Sequence, residues 1–160
     1  MILKDCASIK GGKRLPKGQF VQQAPNNHPY IRVKDMQHRF VCLDDSYGYV
    51  PDSIYPEICR YTVNENDILL SIVGTVGLVA IVHSSLDLAN LTENCVKIVN
   101  IKNYIPEYVY YYLYSNAGQA QIQKGIVGST QPKLPLYNIE RIELPDHSID
   151  YQQHIVYTKC

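Results

Sequence analysis

The sequence reads Ile68-Leu69-Leu70-Ser71-Ile72-Val73, then Gly74-Thr75-Val76-Gly77, then Leu78-Val79-Ala80-Ile81-Val82. Both outer segments are short, apolar and rich in β-branched residues, a composition typical of strands that are buried on both faces. The glycines between them favour a turn, because glycine adopts positive φ without steric cost. The run therefore predicts a strand pair, a hairpin at the centre of the core.

Further strands are predicted on both sides of this hairpin. Residues 30–33 and Cys95–Val99 are apolar and β-branched, and residues 139–144 form a strand-like run. A helix is predicted to begin at Pro106, because proline is tolerated in the first turn and the carboxylate of Glu107 suits the helix dipole.

The predicted helix carries most of a tyrosine-rich face. Tyr108 and Tyr112 lie one turn apart, as do Tyr111 and Ser115, so this face is expected to pack against the sheet. Core packing is the favoured interpretation, and base stacking is the alternative. A break is expected at residues 115–116, followed by helix that ends at Gly125.

Composition places the chain among ordinary globular proteins. A length of 160 residues fits one domain, and 46% apolar with 19% charged residues argues against wholesale disorder. Tyrosine is over-represented, with fourteen against two phenylalanines and no tryptophan. Because tyrosine buries area yet keeps a hydroxyl that needs a partner, this excess suits half-buried faces and binding surfaces.

The cysteines are scattered, with no C-x-x-C pair and no histidine at metal-ligand spacing. They are predicted to be reduced, buried thiols of a cytoplasmic protein: Cys6, Cys42, Cys59, Cys95 and Cys160. The N-terminus has no apolar signal core and no run is long enough to span a bilayer, so no membrane partner is expected.

The formal net charge is zero, which argues against a uniformly basic nucleic-acid binder. The charges are nevertheless polarised along the chain. Only Asp35 opposes the cations of the N-terminal segment, which are Lys10, Lys13, Arg14, Lys17, Arg32, Lys34 and Arg39. Acids dominate the middle: Asp44, Asp45, Asp52, Glu57, Glu65, Asp67, Asp87 and Glu93. If the fold separates these segments, one side can meet phosphates; a solvated surface is the alternative.

Two loops concentrate small and polar residues. In residues 11–18 the paired glycines permit positive φ and Pro16 stiffens the exit, so the cations are expected to face outward. The phosphate-loop spacing is absent, which argues against a nucleotide site. Residues 128–134, Gly-Ser-Thr-Gln-Pro-Lys-Leu, offer donors and acceptors without a nucleophile, as expected for contact with a polar partner.

Catalytic patterns are incomplete. Asn27-His28-Pro29-Tyr30 resembles the N-P-P-Y loop of adenine amino-methyltransferases, but histidine occupies a proline position. Pro51-Asp52 with Glu57-Ile58-Cys59 resembles a nuclease pattern in which lysine stands where this chain has cysteine. We therefore predict no catalytic residue, no metal site and no cofactor.

Several short segments follow one another in a specific order through nearly the whole chain. They are Gly12-Lys13-Arg14 with Pro16, residues 29–36, residues 67–71 with Gly74-Thr75-Val76-Gly77, Glu93-Asn94, the tyrosine helix, and residues 128–134 closing on Ile142 and Pro145. Their order and spacing together resemble one target-recognition domain of a type I restriction-modification specificity (S) subunit. The usual glycine before Asp67 is Asn66, which also tolerates left-handed geometry.

The resemblance implies the fold and the domain organisation. It implies a mixed α/β (α+β) domain, with a twisted, largely antiparallel sheet against which the tyrosine-rich helix packs. Residues 1–148 would form the DNA target-recognition domain, and residues 149–160 would begin a spacer helix that is truncated at Cys160.

The resemblance also implies a non-catalytic module that reads one half of a bipartite site in double-stranded DNA. The domain would direct methyltransferase (modification) and restriction subunits to that site, with a second recognition domain or a second copy of the chain completing the pair. The alternatives are a protein-interaction module that uses the tyrosines, and the recognition fragment of a single-chain restriction enzyme or methyltransferase.

The expected DNA contacts divide into those that position the duplex and those that specify its sequence. Lys13, Arg14, Lys17 and Lys133 would meet phosphates. Groups able to bond base edges lie among Arg32, Lys34, Gln37, His38 and Arg39. Ser129, Thr130 and Gln131 would either bond a phosphate or tie their loop to the body of the domain.

Overall fold

The predicted hairpin forms the centre of a five-stranded sheet in the computed structural model, which describes residues 1–159. In chain order the strands are β1 (Ser8–Gly11), β2 (Pro29–Ile31), β3 (Phe40–Val41), β4 (Gly48–Tyr49), β5 (Ile68–Ser71), β6 (Val79–Val82), β7 (Asn90–Leu91) and β8 (Cys95–Val99). The order across the large sheet is β1-β8-β5-β6-β3, and every pair is antiparallel except β3 with β6. The expectation of a largely antiparallel sheet is confirmed.

A smaller sheet of three strands has the order β4-β2-β7. β2 pairs antiparallel with β4 and parallel with β7, so β2 and β7 end at the same edge. β2 is shorter than the predicted strand at residues 30–33, because Val33 already begins a 3₁₀ turn, Val33–Asp35. Asp35 caps this turn by accepting a hydrogen bond from the Arg32 backbone N–H at 2.9 Å.

The hairpin strands β5 and β6 are buried on both faces, as their sequence predicts. Ile68 and Leu70 of β5 point into one apolar cluster, which contains the helices, whereas Leu69 points into a second cluster. The second cluster includes Ile31 and Leu91 of the small sheet. Strand periodicity therefore separates one apolar run into two cores, with helices on one side and the small sheet on the other.

The helices are α1 (Leu3–Cys6), α2 (Tyr55–Ile58), α3 (Pro106–Tyr114), α4 (Asn116–Gly125), α5 (Leu136–Glu140) and α6 (Ile149–Lys159). α3 begins at Pro106 as predicted, and the break falls at Ser115. Ser115 has an extended backbone, and its hydroxyl accepts a hydrogen bond from the Gly118 N–H at 3.2 Å, which caps α4.

The strand predicted at residues 139–144 is wrong for its first part, because Ile139 and Glu140 belong to α5. Its last part is extended, and Glu143 forms an antiparallel β-bridge with Ile2. Ile139, Ile142 and Leu144 are all buried in the cluster that contains the helices. Ile139 and Ile142 are spaced by three residues, which suits one side of a helical turn as well as an irregular extended segment. Short apolar runs do not distinguish the two structures.

The prediction of buried cysteines holds for only part of the set. Cys6 and Cys95 are buried, and burial raises the pKa of the Cys95 thiol to about 12. Cys42 and Cys59 are exposed, because both follow short elements at the surface. Cys160 lies outside the described residues. Within residues 1–159, no helix has both the length and the apolar character needed to cross a bilayer.

The paired glycines at the end of β1, Gly11 and Gly12, do not adopt the positive φ expected of them. Gly12 is required for a different reason, since a Cβ atom there would lie 2.0 Å from the carbonyl oxygen of Thr92. Asn66 does adopt a positive φ, of 72°, so the turn before β5 forms without glycine.

Candidate nucleic-acid interface

Loops leave the five-stranded sheet at two ends. The Gly11 end is the edge where β1, β8, β5 and β6 reach Gly11, Cys95, Ser71 and Val79, and β3 begins two residues short of it because Phe40 pairs with Ile81. The Ser8 end is the opposite edge, at Ser8, Val99, Ile68, Val82 and Val41.

Predicted DNA-contact residues from three distant parts of the chain meet at the Gly11 end. Lys13 and Arg14 directly follow β1, and residues 37–39 directly precede β3. Lys133 pairs in a β-bridge with Val73, which follows β5. Strand register alone therefore assembles groups that lie more than a hundred residues apart in sequence.

Backbone hydrogen bonds join these segments into one continuous edge. The Gly12 N–H donates to the Cys95 carbonyl at 3.2 Å, and the Lys13 N–H donates to the Leu91 carbonyl at 2.8 Å. The Ile72 N–H donates to the Asn94 carbonyl at 2.8 Å, and the Leu134 N–H donates to the Ile72 carbonyl at 2.9 Å. The order along the edge is thus the loop after β1, the segment before β8, the turn after β5, and the loop at residues 128–133.

A groove of about 440 Å³ holds three of the predicted cations, Arg14, Arg32 and Lys34. They meet because the parallel strands β2 and β7 end together, with the Thr92 N–H donating to the Ile31 carbonyl at 3.1 Å. Arg14 and Lys34 are exposed. We call this space the small groove.

Arg32 is less available than its neighbours. Its Nε lies 3.7 Å from a carboxylate oxygen of Asp35, and its Nη2 donates to the Ser46 carbonyl at 3.4 Å. Burial raises the pKa of Asp35 although the guanidinium lowers it. These contacts hold the Arg32 side chain against the small sheet.

The remaining cations of the first loop are on the surface. The Lys13 ammonium lies 5.9 Å from the centre of the Tyr61 ring. Lys17 is exposed in a turn closed by a hydrogen bond from the Gln19 N–H to the Pro16 carbonyl, with Gly18 at a φ of 83°. Both side chains remain accessible to a partner.

A second groove, of about 1280 Å³, has Gln37, His38 and Arg39 on one wall and α3 on the other. Arg39 donates to the hydroxyl of Tyr111, and all three predicted residues are exposed. We call this space the tyrosine groove.

The tyrosine-rich face divides between core and groove. Tyr108 is buried, which confirms the core-packing interpretation for this residue, and Tyr110, outside the predicted face, is buried as well. Tyr111 and Tyr112 are half-buried, and Tyr114 exposes 65% of its surface.

The loop at residues 128–133 is closed at its base and open at its tip. Val127 and Lys133 exchange backbone hydrogen bonds at 2.9 and 3.0 Å, and Gly128 has a φ of 87°. Ser129, Thr130 and Gln131 are exposed.

The Ser8 end carries the opposite charge. Glu65, Asp67 and Asp87 lie in the segments that enter β5 and leave β6. The Asn64 N–H donates to Asp67 and the Glu65 N–H donates to Asp87, both at 2.8 Å. Three acids of the middle segment therefore lie at the Ser8 end, whereas Glu93 lies at the Gly11 end beside Arg14 and Lys34.

Sequence reasoning missed several residues that line the small groove, among them Gln19, Phe20, Glu93 and Asn94. Phe20 is the most informative of them, because it exposes 78% of its surface. One signal was present in the sequence, since one of only two phenylalanines follows a loop of cations.

The incomplete catalytic patterns have structural roles. The ring of His28 stacks on Tyr55 at 3.6 Å, and its Nε2 lies 3.4 Å from Asp52. The histidine in the N-P-P-Y-like motif therefore packs within the domain. In the described part of the chain, no three His, Cys, Asp or Glu side chains are grouped to hold a metal ion.

A family model for the type I restriction modification DNA specificity domain matches residues 1–158. The chain belongs to this family. The sequence-based resemblance is thereby confirmed over nearly the whole chain, and the family is one of specificity domains rather than enzymes. No protein of curated function matches the chain in sequence.

Solved structures show the same fold. The S subunit of a type I restriction-modification system from M. genitalium superposes with a TM-score of 0.66 at 16% identity, covering 99% of this chain and 37% of that one. The HsdS subunit from Thermoanaerobacter tengcongensis gives 0.71 at 13% identity, with 99% and 35% covered. A structure described as showing complex assembly and conformational transition of the type I R-M system gives 0.76 at 13% identity, with 99% and 36% covered. The chain spans little more than a third of each.

Proposed function

We propose that this domain binds double-stranded DNA with its Gly11 end and reads one half of a bipartite site for a type I restriction-modification system. The family match supports a DNA specificity role. The observation that carries the assignment to this surface is the convergence of Lys13, Arg14, Lys34, Arg39 and Lys133 at one end of the sheet.

The size and charge of this end suit a duplex. Five strands at a spacing of about 4.8 Å make the sheet end about 19 Å wide, whereas the major groove is about 12 Å across. Loops on such an edge can reach into a groove while cations at its borders neutralise phosphates. Glu93 is an acidic residue in the loops at this edge, and it lies in the small groove with Arg14 and Lys34.

The predicted residues take two roles in this proposal. Lys13, Arg14, Lys17 and Lys133, with the exposed tip Ser129, Thr130 and Gln131, contact the phosphate backbone. Lys34, Gln37, His38 and Arg39 are exposed and supply donors for base edges. Arg32 has a supporting role, because Asp35 and Ser46 already engage its guanidinium.

The further partners are proposed from the family. Residues 1–148 would recognise DNA, and α6 would begin the spacer that joins this domain to the rest of a specificity subunit. Modification subunits that methylate adenine from S-adenosylmethionine, and restriction subunits, would then assemble on it. A second recognition domain or a second copy of the chain would read the other half-site and add avidity.

Salt-dependent DNA binding tests the surface. Affinity for a random-sequence duplex is measured by fluorescence anisotropy from about 50 to about 200 mM salt. Arg14→Ala should lower the slope of log affinity against log salt by about 0.9, equally for all sequences, because one phosphate contact is lost.

Lys102→Ala is the matched control, since Lys102 is an exposed lysine in the segment that follows β8 at the Ser8 end. It should leave affinity and slope unchanged. Equal effects of both substitutions would contradict the assignment to the Gly11 end. A salt-independent affinity of the unmodified chain would contradict DNA binding itself.

A further inference from the structure

Phe20 is an exposed aromatic residue with no role in the fold. It exposes 78% of its surface and belongs to none of the three apolar clusters within residues 1–159. Single exposed apolar residues are common on proteins and carry no meaning alone. Phe20 differs from such residues in two ways: the backbone on both sides of it is fixed, and charged side chains surround it.

The backbone on both sides of Phe20 is fixed. Leu15 is buried before it, and a turn from Pro16 to Gln19 follows with a hydrogen bond of 2.9 Å. Gln22 after it exchanges backbone hydrogen bonds with Tyr49 at 2.8 and 2.9 Å. The phenyl ring is therefore presented from a short anchored loop, so little conformational entropy is lost when a partner covers it.

The surroundings of Phe20 are cationic. It lines the small groove together with three cations, Arg14, Arg32 and Lys34, and one acid, Glu93, and Lys17 lies three residues before it. An exposed ring between cations is poorly suited to an apolar protein partner. It is well suited to a polyanion that also offers apolar surface, and the bases of duplex DNA do so between two phosphate backbones.

We propose that Phe20 enters a DNA groove and contacts the apolar surface of the bases, and so contributes to sequence preference. This inference rests on the proposed function. Duplex DNA offers two such surfaces, the faces of a partly unstacked base step and the methyl group of thymine. Arg14 holds a phosphate beside the inserted ring, and Lys34 supplies a donor to a base edge next to it. Gln19 and Asn94 line the same groove and border the contacted bases.

The test compares three substitutions in the full chain. Phe20→Ala removes the ring, Phe20→Leu keeps an apolar side chain, and Leu88→Ala removes an exposed apolar side chain near the Ser8 end. Each protein selects bound duplexes from a random-sequence pool at low salt, and the selected DNA is sequenced. Thermal unfolding checks that all variants fold.

Phe20→Ala should bind the duplex selected by the unmodified chain about tenfold more weakly and lose preference at one or two adjacent positions. Phe20→Leu should retain most of the affinity and of the sequence preference. Leu88→Ala should change neither the affinity nor the preference. At the affected positions, 2-aminopurine fluorescence reports unstacking, and uracil in place of thymine reports a methyl contact.

A response to either probe that disappears in Phe20→Ala supports the inference and identifies the contacted surface. If Phe20→Ala keeps the affinity and the selected sequence of the unmodified chain, the inference is overturned and the proposed function stands. If the unmodified chain enriches no DNA at all, the proposed function fails and the inference fails with it.

Discussion

The two ends of the large sheet use charge in opposite ways. At the Ser8 end, Asp67 and Asp87 accept backbone hydrogen bonds at 2.8 Å, so their carboxylates complete turns. At the Gly11 end, Arg14 and Lys133 are exposed and the backbone itself makes the hydrogen bonds that hold their loops. The charged side chains at the Ser8 end therefore make hydrogen bonds within the fold, whereas those at the Gly11 end are free to contact a partner. This is the difference expected between an edge that supports the fold and an edge that binds.

The helix proposed to begin the spacer connects the two ends. α6 starts near the Ser8 end, where the Gln152 side chain accepts from the Ile105 N–H at 2.8 Å. It packs along α3, and at its far end the Lys159 carbonyl lies 3.5 Å from the Tyr111 hydroxyl that also contacts Arg39. α6 is therefore anchored near the Ser8 end and extends towards the Gly11 end.

The largest expected effect is on stability at the Gly11 end. Gly12→Ala places a Cβ atom 2.0 Å from the Thr92 carbonyl oxygen and 2.4 Å from that of Leu91, and backbone atoms cannot move aside easily. We expect a loss of about 3 kcal/mol or more in the free energy of unfolding, measured by urea denaturation. Gly11→Ala is the control, because nothing lies within 4 Å of its added Cβ. Similar unfolding midpoints for the two variants would contradict the close approach.

The next effect concerns the anchor of α6. Gln152 is fully buried, and its amide also donates to the carbonyls of Asn103 and His147 at 3.1 and 2.9 Å. Gln152→Leu leaves these backbone groups unpaired and should cost about 2 kcal/mol in the free energy of unfolding. The exposed neighbour Gln153 serves as the control through Gln153→Leu. An unfolding midpoint unchanged by Gln152→Leu would show that the buried amide does not hold the helix.

Charge reversal compares the two ends in DNA binding. Lys133→Glu should weaken binding to a random-sequence duplex about tenfold at low salt, because a cation is lost and a repulsive charge is added. Lys102→Glu makes the same change in net charge near the Ser8 end and should have a much smaller effect. Anisotropy titrations measure both. Equal losses would mean that net charge, rather than its location, governs binding.

The smallest expected effect distinguishes the two kinds of carboxylate. Burial raises the folded pKa of Asp67 above its ordinary 3.8, so its ionisation costs stability as the pH rises through that raised value. Asp67→Asn should therefore gain stability relative to the unmodified chain between about pH 3 and about pH 6.5.

Asp44 provides the opposite sign. Hydrogen bonds from Ser46 lower its pKa, so its stabilising contribution is present above the ordinary value and is lost as the pH falls. Asp44→Asn should lose stability relative to the unmodified chain over the same rise in pH. Urea midpoints at the two pH values measure both shifts, and shifts of the same sign would contradict this assignment.

Local patterns predicted much of this fold. The β5–β6 hairpin, the strand β8 and the start of α3 at Pro106 follow from residue types within a few positions. The short apolar run at residues 139–144 was predicted only in part, because Ile139 enters the core from α5 whereas the bridge at Glu143 depends on pairing with Ile2, at the other end of the chain. The steric requirement for glycine at position 12 was also not predicted, because it depends on the backbone of Thr92, eighty residues away in sequence.

The candidate interface was predictable in its residue types but not in its geometry. Cations in the loops suggested phosphate contact, whereas their meeting depends on strand register and on bridges such as that between Val73 and Lys133. Phe20 and Asn94 were missed because their significance comes only from the groove that they share with Arg14.

The hydrogen bonds along the Gly11 end join main-chain atoms, and this has an evolutionary consequence. Side chains at Arg14, Asn94 or Gln131 can be exchanged without disturbing the bonds that position their loops. Substitutions in these loops can therefore change the groups that the surface offers to a partner while the framework is inherited unchanged. Gly12 is the exception, since any larger residue there would displace the framework itself.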